Sequence, residues 1–425
     1  MLKGIANAFR VPELRKKLII TIAILVLYRF GAYLPVPGAP FQDMLTAYQS
    51  GLSSSGAMAV LNLFSGGALS RMSVFSLGIM PYITAQIILQ MMQAVIPSLG
   101  ELAKEGEVGQ RKITQYTRYL TIALALLNAI GYLFLFKSYG VTFTDMGFPE
   151  ALENVIVVFC MLIGAIIIMW LGEVITQRGV GNGMSLIIFA NIMAGLPSAL
   201  ISSVTTSGNV LLTAITLIVI IAIVPLIVFV ERGQRRIPVQ YAKRVVGRKM
   251  MGGQSTYLPI KVNTAGVVPI IFASAILYFP AQIAVFFPNV GWVNACANAL
   301  SSGWINWVLS VVLIVVFAYF YTSMVFNPEE TADQLRKQGG FIPGVRPGSA
   351  TAAYIKSAID HITLPGALFM AVLAVVPTII FWFTGDQLIQ AFGGTSVLIM
   401  VGVAMDTLSS IESQLKMHNY EGFFK

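Results

Sequence analysis

Ten long apolar runs are distributed along almost the whole of this 425-residue chain. An α-helix of roughly 20 apolar residues crosses the hydrocarbon core of a bilayer. Only 11% of the residues are charged, whereas soluble domains carry roughly 25%, so the runs are not the core of a soluble protein. The sequence therefore predicts an all-α integral membrane protein with ten transmembrane helices. The predicted spans lie near residues 18–34, 72–97, 116–136, 154–175, 180–201, 210–230, 264–287, 304–326, 364–384 and 392–411.

Basic residues are distributed very unequally between the two sides of the predicted bundle. With the N-terminus on the cytoplasmic side, 24 of the 27 lysines and arginines lie in cytoplasmic segments. Arg71 and Lys137 lie outside, and Arg29 lies in the short first span, from which a long side chain can reach the interface. Because short cytoplasmic loops carry an excess of basic residues, we predict that both termini are cytoplasmic.

The ten spans divide into two groups of five, within residues 1–209 and 210–425. Because five is an odd number, the two halves cross the membrane in opposite directions. This arrangement permits an inverted repeat with a functional interface near the middle of the membrane. The letters of the two halves show no convincing similarity, so the repeat is permitted by the span count rather than demonstrated.

Groups that catalyse reactions or couple ion flow are scarce in the predicted spans. Glu173 and Asp406 lie near cytoplasmic span ends, and no span carries paired carboxylates at helical spacing. The sequence contains no HExxH, Walker or GxSxG motif, and Cys160 and Cys296 fit neither a disulfide framework nor a metal site. We therefore expect no catalysis, no cofactor and no metal, so that energy for directional transport must come from a partner.

The second predicted span carries Gly78 and Pro81 in its first half. A proline inside a helix removes a backbone hydrogen bond and kinks the helix, so this span could line a cavity or carry a packing kink. The preceding stretch LFSGGALSRMSVF (63–75) is too polar to face lipid and too apolar for an ordinary loop. Because irregular backbone at membrane depth must be covered by protein or water, the stretch predicts a re-entrant element.

Two predicted cytoplasmic segments, 231–262 and 327–363, are longer than topology requires. The first has eight basic residues against one acid, Glu231, and its middle, RRIPVQYAKRVV, is rich in residues that favour an ordered β-ribbon. The second contains PGVRPG, which predicts a rigid exposed turn that carries Arg346. These basic surfaces could meet anionic lipid, RNA phosphates or an acidic protein, or could only set the topology.

Nine motifs, in order along the chain, resemble the bacterial SecY family of protein-conducting channel subunits. The resemblance extends from just before the second span to the last span, and so covers nearly the whole chain. It implies two inverted halves of five spans that form a clamshell around an hourglass pore. The motifs are FSGGALSR (64–71), LGIMPYI (77–83), EGEVGQRKITQYTRY (105–119), MWLGEVITQRGVGNG (169–183), VERGQRRI (230–237), VNTAGVVPIIFAS (262–274), FNPEETAD (326–333), PGVRPG (343–348) and GGTSVLI (393–399).

The resemblance implies a ring of apolar side chains at the waist of this pore. An apolar constriction excludes ions by dewetting, yet its side chains can part around a moving polypeptide. Apolar residues at helical spacing ordinarily form a core, so only the resemblance assigns this role. Met184 replaces the branched aliphatic residue usual at its position, and methionine is more flexible. The ring positions are Ile79, Ile83, Met184, Ile188, Ile271 and Ile399.

By the same resemblance, the stretch near 63–71 is the plug, a short helix that blocks the outer funnel. The second and seventh spans would form a lateral gate toward lipid, with Thr84 and Phe279 facing each other across it. Signal sequences and membrane segments would leave through the gate, because about 20 apolar residues partition into lipid. The plug residues are Phe64, Ser65, Gly66, Gly67, Ala68, Leu69 and Ser70.

The resemblance assigns the basic loops to docking of the motor ATPase SecA or of the ribosome, the latter largely through RNA phosphates. It also implies small membrane subunits similar to SecE and SecG, nascent polypeptides and membrane lipid as partners, and a location in the bacterial cytoplasmic (inner) membrane. The docking positions are Arg232, Arg235, Arg236, Lys243, Arg244, Arg248, Lys249 and Arg346.

Three other classes remain alternatives to a channel. A secondary transporter would need an intramembrane charge or a specific solute pocket, and the sequence shows neither. A membrane insertase would place a charged residue in a polar membrane groove, for which Arg29 is the one candidate. A scaffold for other membrane subunits would need neither feature and would bind the small partner proteins.

Overall fold

The computed structural model describes residues 9, 11–40, 46, 62, 64–138, 141, 148–207, 210–241, 244–246, 249–251, 255–286, 290–301, 303–384 and 394–421. Most of these residues are helical. The helices are α1 (Pro12–Gly31), α2 (Met80–Val95), α3 (Pro97–Lys104), α4 (Glu107–Ser138), α5 (Glu150–Arg178), α6 (Gly183–Ser207), α7 (Val210–Glu231), α8 (Val268–Phe286), α9 (Gly291–Ser301), α10 (Trp304–Val325), α11 (Pro328–Lys337), α12 (Ser349–Thr384) and α13 (Thr395–Glu421).

Each of the ten predicted spans overlaps a helix in the structure. By length and composition, seven helices within the described ranges can cross a membrane, and eight if the bent pair α2 and α3 counts as one span. The helix α1 is not among them, because four of its first six residues are charged. In α8 the apolar helical stretch is the shorter segment Val268–Leu277. The chain is therefore a multi-pass helical membrane protein, as predicted.

The second predicted span differs most from the expectation. Residues 65–79 form turns, and α2 begins only at Met80. Pro81 therefore occupies the first helical turn, where a proline displaces no hydrogen bond, and the predicted kink at this residue is wrong. The chain bends instead by 102° between α2 and α3, where Ile96 precedes Pro97. Ile96 is extended, since the residue before a proline is restricted to that region.

Helices from the two predicted halves pack closely against each other. The helices α2 and α4 contact α8, and α13 contacts both α1 and α6. Buried apolar side chains from both groups of helices belong to one continuous cluster. The helices α1–α6 fall within residues 1–209 and α7–α13 within 210–425, so the surface where the predicted halves meet lies inside this shared core.

The two long basic segments fold together into one small body. The strands are β1 (Gln234–Tyr241), β2 (Arg244–Val246), β3 (Lys249–Met251), β4 (Ser255–Lys261) and β5 (Gly340–Phe341). In the three-stranded sheet, β1 is central and pairs antiparallel with both β4 and β5, while β2 and β3 form a separate hairpin. The predicted ribbon is therefore confirmed, whereas its pairing with β5 was not predicted.

This sheet, together with α11 and the first turns of α12, is called the sheet body below. It has an apolar core of its own, separate from the core between the long helices. The side chain of Asn327 caps α11 by accepting from the backbone N–H groups of Glu329 and Glu330. The core consists of Ile237, Val239, Ile260, Leu335, Ile342, Ile355, Ala358 and Ile359.

Candidate functional site

The six predicted ring residues lie in, or just before, the first two turns of four helices. The pairs are Ile79 and Ile83 at α2 and Met184 and Ile188 at α6, with Ile271 in α8 and Ile399 in α13. All six are at most 7% exposed and belong to the same apolar cluster. Because α2 contacts α8, α8 contacts α13 and α13 contacts α6, the four helices are joined across both halves. Burial in one cluster is what a packed core and a closed ring both require.

The position of Met184 follows from its neighbours in α5 and α6. Asn182 precedes α6, and its side-chain oxygen accepts from the backbone N–H of Met184 at 3.0 Å and of Ser185 at 3.3 Å, which starts the helix. A β-carbon added at Gly172 of α5 would lie 2.3 Å from the Met184 sulfur. The glycine therefore leaves the space in which the longer methionine side chain rests against α5.

The predicted plug residues, 64–70, form a compact set of turns, which we call the plug segment. Of the described residues from 62 to 70, only Asn62 and Phe64 have helical backbone. Gly66 and Gly67 both adopt positive φ, at 67° and 83°, a conformation that ends a helix and suits glycine. The expected short helix is thus replaced, in these residues, by turns.

Hydrogen bonds within the plug segment explain its serines. The Ser65 hydroxyl donates to the carbonyl of Asn62 at 2.9 Å and accepts from the backbone N–H of Leu69 at 3.1 Å. The Asn62 side-chain oxygen accepts from the backbone N–H of Ser70 at 3.0 Å. The backbone groups of this segment are not paired within a helix or a sheet, and these bonds satisfy several of them. The irregular segment can therefore be buried without unpaired backbone polar groups at these positions.

The plug segment packs beside the predicted ring on two helices. Phe64 and Leu69 are 2% and 1% exposed and belong to the same apolar cluster as the ring residues. A β-carbon at Gly78, the residue before Ile79, would lie 3.3 Å from the Ser65 Cα. On α6, one turn beyond Ile188, the Asn191 side-chain nitrogen donates to the Phe64 carbonyl at 2.6 Å.

Arg29 contacts the plug segment from the last turn of α1. One guanidinium nitrogen donates to the Gly66 carbonyl at 2.7 Å, and another donates to the Tyr33 hydroxyl at 3.1 Å. The Tyr33 ring centroid lies 4.9 Å from the Arg29 guanidinium carbon and 4.3 Å from that of Arg71.

The predicted lateral gate lies where α2 meets α8. These helices are in contact. Thr84 is half-buried and donates its hydroxyl hydrogen bond to the Met80 carbonyl of its own helix at 3.0 Å. Phe279 is 44% exposed on α8. One gate residue is thus partly enclosed and the other lies at the surface of the helix bundle.

The predicted docking residues are divided among the sheet body, the separate β2–β3 hairpin and positions outside the described residues. Arg346 is exposed in a turn between Gly344 and Gly348, which both have positive φ, as the motif predicted. Arg244 lies in β2 and Lys249 in β3. Lys243 and Arg248 lie outside the described residues. Three further basic residues are exposed at or just before the start of β1, namely Arg232, Arg235 and Arg236.

Of the two carboxylates singled out by sequence, Glu173 is paired with an arginine and Asp406 lies at the surface of its helix. Glu173 accepts two hydrogen bonds from the Arg118 guanidinium, at 2.8 and 2.6 Å, across the contact between α4 and α5. A bidentate pair of this kind neutralises the charge and ties two helices together. Asp406 is exposed on α13. Neither carboxylate is placed as an unpaired group in the middle of the bundle.

Sequence reasoning missed one residue of this site, Asn191. It is fully buried, and its amide reaches a backbone carbonyl 127 positions earlier in the chain. A single asparagine inside the apolar run SLIIFANIMAG is a usable signal, because polar side chains within membrane helices usually bond across to a neighbour. The partner, however, cannot be read from the spacing.

The fold and this site define a polytopic helical membrane protein in which two groups of helices meet around apolar side chains and a buried irregular segment. The model of the SecY family matches residues 73–408. The protein translocase subunit SecY of Streptomyces galbus is 47% identical over 437 aligned positions, which cover all of both chains. The chain therefore belongs to the SecY family. Because SecY is a family of channel subunits, the prediction that the chain is not an enzyme is confirmed.

Two solved structures share the fold at lower sequence identity. One is a SecY structure whose plug domain is described as stabilising the closed state of the translocation channel; its TM-score is 0.63 at 20% identity, with 96% of each chain covered. The other is Sec61 in the canine ribosome–channel complex from the endoplasmic reticulum, with a TM-score of 0.59 at 19% identity and 96% of each chain covered. At these identities the similarity shows the fold alone.

Proposed function

We propose that this chain is the channel subunit through which unfolded secretory polypeptides cross the bacterial cytoplasmic membrane. Both termini then lie in the cytoplasm, and residues 1–209 and 210–425 form the two sides of the clamshell. One observation carries the proposal: six apolar side chains from both halves share a buried cluster with the plug segment. Full-length similarity to curated translocase subunits supports the same role.

The apolar side chains of the ring seal the resting channel because they offer ions and water no polar group to bind. An ion that enters an apolar constriction must shed water without gaining a replacement ligand, so the constriction stays dry. A moving polypeptide can displace the side chains, of which Met184 is the most flexible. Because the ring offers neither charge nor hydrogen bonds, it accepts chains of any sequence.

The gate between α2 and α8 sorts the polypeptide by its hydrophobicity. When the two helices separate, the interior of the channel faces lipid, and a segment of about 20 apolar residues gains free energy by leaving sideways. A polar chain has no such gain and continues outward. Thr84 and Phe279 lie on the two helices that must part.

The sheet body docks the partner that supplies energy. Its exposed arginines suit the phosphates of ribosomal RNA or an acidic face of the SecA motor ATPase. The Sec61 channel, solved with a ribosome, supports a ribosomal partner for this fold. Small membrane subunits similar to SecE and SecG complete the complex, and lipid surrounds it.

The rival classes have less support. An insertase would present Arg29 in an open polar groove, yet its guanidinium is occupied by the Gly66 carbonyl and the Tyr33 hydroxyl. A secondary transporter would use unpaired intramembrane charge, whereas Glu173 is paired with Arg118.

A crosslink across the gate tests this function. We expect that joining Thr84→Cys to Phe279→Cys with a short bismaleimide, in a background where Cys160 and Cys296 are serine, stops motor-driven translocation in proteoliposomes. The reason is that α2 and α8 can then no longer separate. Translocation is measured by protease protection of a secretory precursor.

The matched control crosslinks Glu107→Cys to Arg111→Cys, one turn apart in the same helix. In the wild type these two residues are exposed and form an ion pair, with 2.7 Å between the Glu107 Oε1 and Arg111 Nη2 atoms. This control should leave translocation unchanged. Equal transport by the gate-locked and unlocked proteins would contradict the proposed gate.

A further inference from the structure

We propose that Arg29 and Asn191 form a latch that holds the plug segment in its closed position. The inference rests on the proposed function and deepens it, because it names the residues that regulate closure. Both residues act by positioning a neighbouring segment, and neither has to touch the translocating chain. No motif of the sequence pointed to either contact.

The two latch residues hold consecutive parts of the segment from different helices. Arg29 of α1 donates to the Gly66 carbonyl at 2.7 Å, and Asn191 of α6 donates to the Phe64 carbonyl at 2.6 Å. Both acceptors are main-chain oxygens, so the contact depends on where the backbone lies rather than on the plug side chains. The arginine bond is charge-assisted and is the stronger of the two.

The other end of the segment is fixed in a different way. The backbone N–H of Val36 donates to the Met72 carbonyl at 3.1 Å, and that of Val74 donates to the Leu34 carbonyl at 2.9 Å. These bonds tie residues 72–74 to the chain that follows α1. The segment is thus followed by a stretch anchored through backbone pairing and is held at its own start by two side chains, which could act as a latch.

The hydrogen bonding of Asn191 favours a reversible contact over a structural tie. Its side-chain oxygen is buried and accepts no hydrogen bond from the part of the chain that the structure describes, although its nitrogen donates to the Phe64 carbonyl. A buried amide that is only half satisfied holds its partner less tightly than a fully satisfied one, because the unpaired half retains its desolvation cost. The asparagine is therefore better suited to a releasable contact than an apolar residue would be.

Gly66 is the point on which both latch residues converge. A β-carbon there would lie 2.6 Å from the Asn191 side-chain oxygen and 2.9 Å from an Arg29 guanidinium nitrogen. At the adjacent Gly67, an added β-carbon would meet nothing within 4 Å. Both glycines have positive φ, so alanine strains the backbone at either position, but only Gly66→Ala displaces the latch.

The test is the resting ion conductance of the complete complex in planar bilayers, without motor or substrate. We expect Gly66→Ala, Arg29→Met and Asn191→Leu each to raise the resting open probability about tenfold, which corresponds to about 1.4 kcal/mol. Gly67→Ala, which leaves both latch residues in place, and Arg29→Lys, which keeps a charged donor at this position, should stay near the wild-type value. Thermal unfolding of each purified complex separates loss of the latch from loss of the fold; Gly66→Ala and Gly67→Ala should unfold alike, and the other variants should unfold as the wild type does.

The outcomes separate the latch from the function on which it rests. If deletion of residues 64–70 opens the channel but Gly66→Ala, Arg29→Met and Asn191→Leu behave like Gly67→Ala, the plug is real and the latch is refuted. If the deletion is also silent, the proposed function fails and the latch fails with it. The proposal is supported if only the three latch variants open the resting channel and Arg29→Lys, unlike Arg29→Met, stays closed.

Discussion

Deletion of the plug segment, residues 64–70, is expected to turn a tight resting channel into one that passes ions in bursts. The deletion removes Phe64 and Leu69 from the apolar cluster that contains the predicted ring residues, and leaves the proposed ring as the remaining seal. If the plug keeps the resting channel closed about 99% of the time, its loss can raise the open fraction by up to about 100-fold. The ring still dewets between openings, so the current should flicker rather than stay constant.

Single-channel recording of the purified complex in planar bilayers measures this effect. The deletion variant should still translocate a precursor when the motor is added, which shows that the helices are correctly folded. A variant that translocates but is as silent at rest as the wild type would contradict the role of the segment as a plug. A tight wild type is part of the same expectation.

Val239→Asp is expected to abolish motor-driven translocation while leaving the resting channel closed. Val239 is 1% exposed in the core of the sheet body, and its side chain lies close to Gly340 of β5. An unpaired carboxylate buried there costs more than about 4 kcal/mol, enough to unfold so small a core. The basic residues on β1 and in the turn at Arg346 would then no longer be held in fixed positions relative to each other.

The neighbouring substitution Gln240→Asp is the matched control, because Gln240 is exposed on the opposite face of β1. It introduces the same charge into the same strand and should change the translocation rate by less than about twofold, as surface substitutions cost within about 0.5 kcal/mol. Equal loss in both variants would mean that added negative charge, rather than the folded sheet body, is responsible. If both variants kept the wild-type translocation rate, the folded sheet body would not be needed for docking.

Features that depend on composition and local pattern could be predicted from the sequence. The ten apolar runs each overlap a helix, because a segment that crosses the bilayer must be long, apolar and hydrogen-bonded within itself. The β-ribbon followed from β-branched residues, and the turn at Arg346 from its Pro-Gly pairs. The ring and plug residues required the family resemblance, since an apolar pair such as Ile79 and Ile83 reads as core on spacing alone.

Features that depend on contacts distant in sequence could not be predicted. The start of α2 at Met80 depends on the turns before it packing against α5, where a β-carbon at Gly164 would lie 1.8 Å from the Val74 carbonyl. The sheet body arises because β5 pairs with β1 about a hundred positions earlier. The latch likewise joins Asn191 to Phe64, 127 positions apart. Spacing along one element carries no information on such pairs.

Disulfide mapping of a stalled precursor tests whether a polypeptide passes through the middle of this chain. A precursor with a single cysteine is arrested during translocation and oxidised against variants that carry one cysteine each. We expect disulfides with Ile188→Cys and Ile399→Cys, which come from opposite halves. The lipid-facing controls Ile163→Cys and Val372→Cys, at positions 51% and 54% exposed, should give none. Disulfides at the two controls but not at the ring, while translocation proceeds, would contradict passage through a central pore.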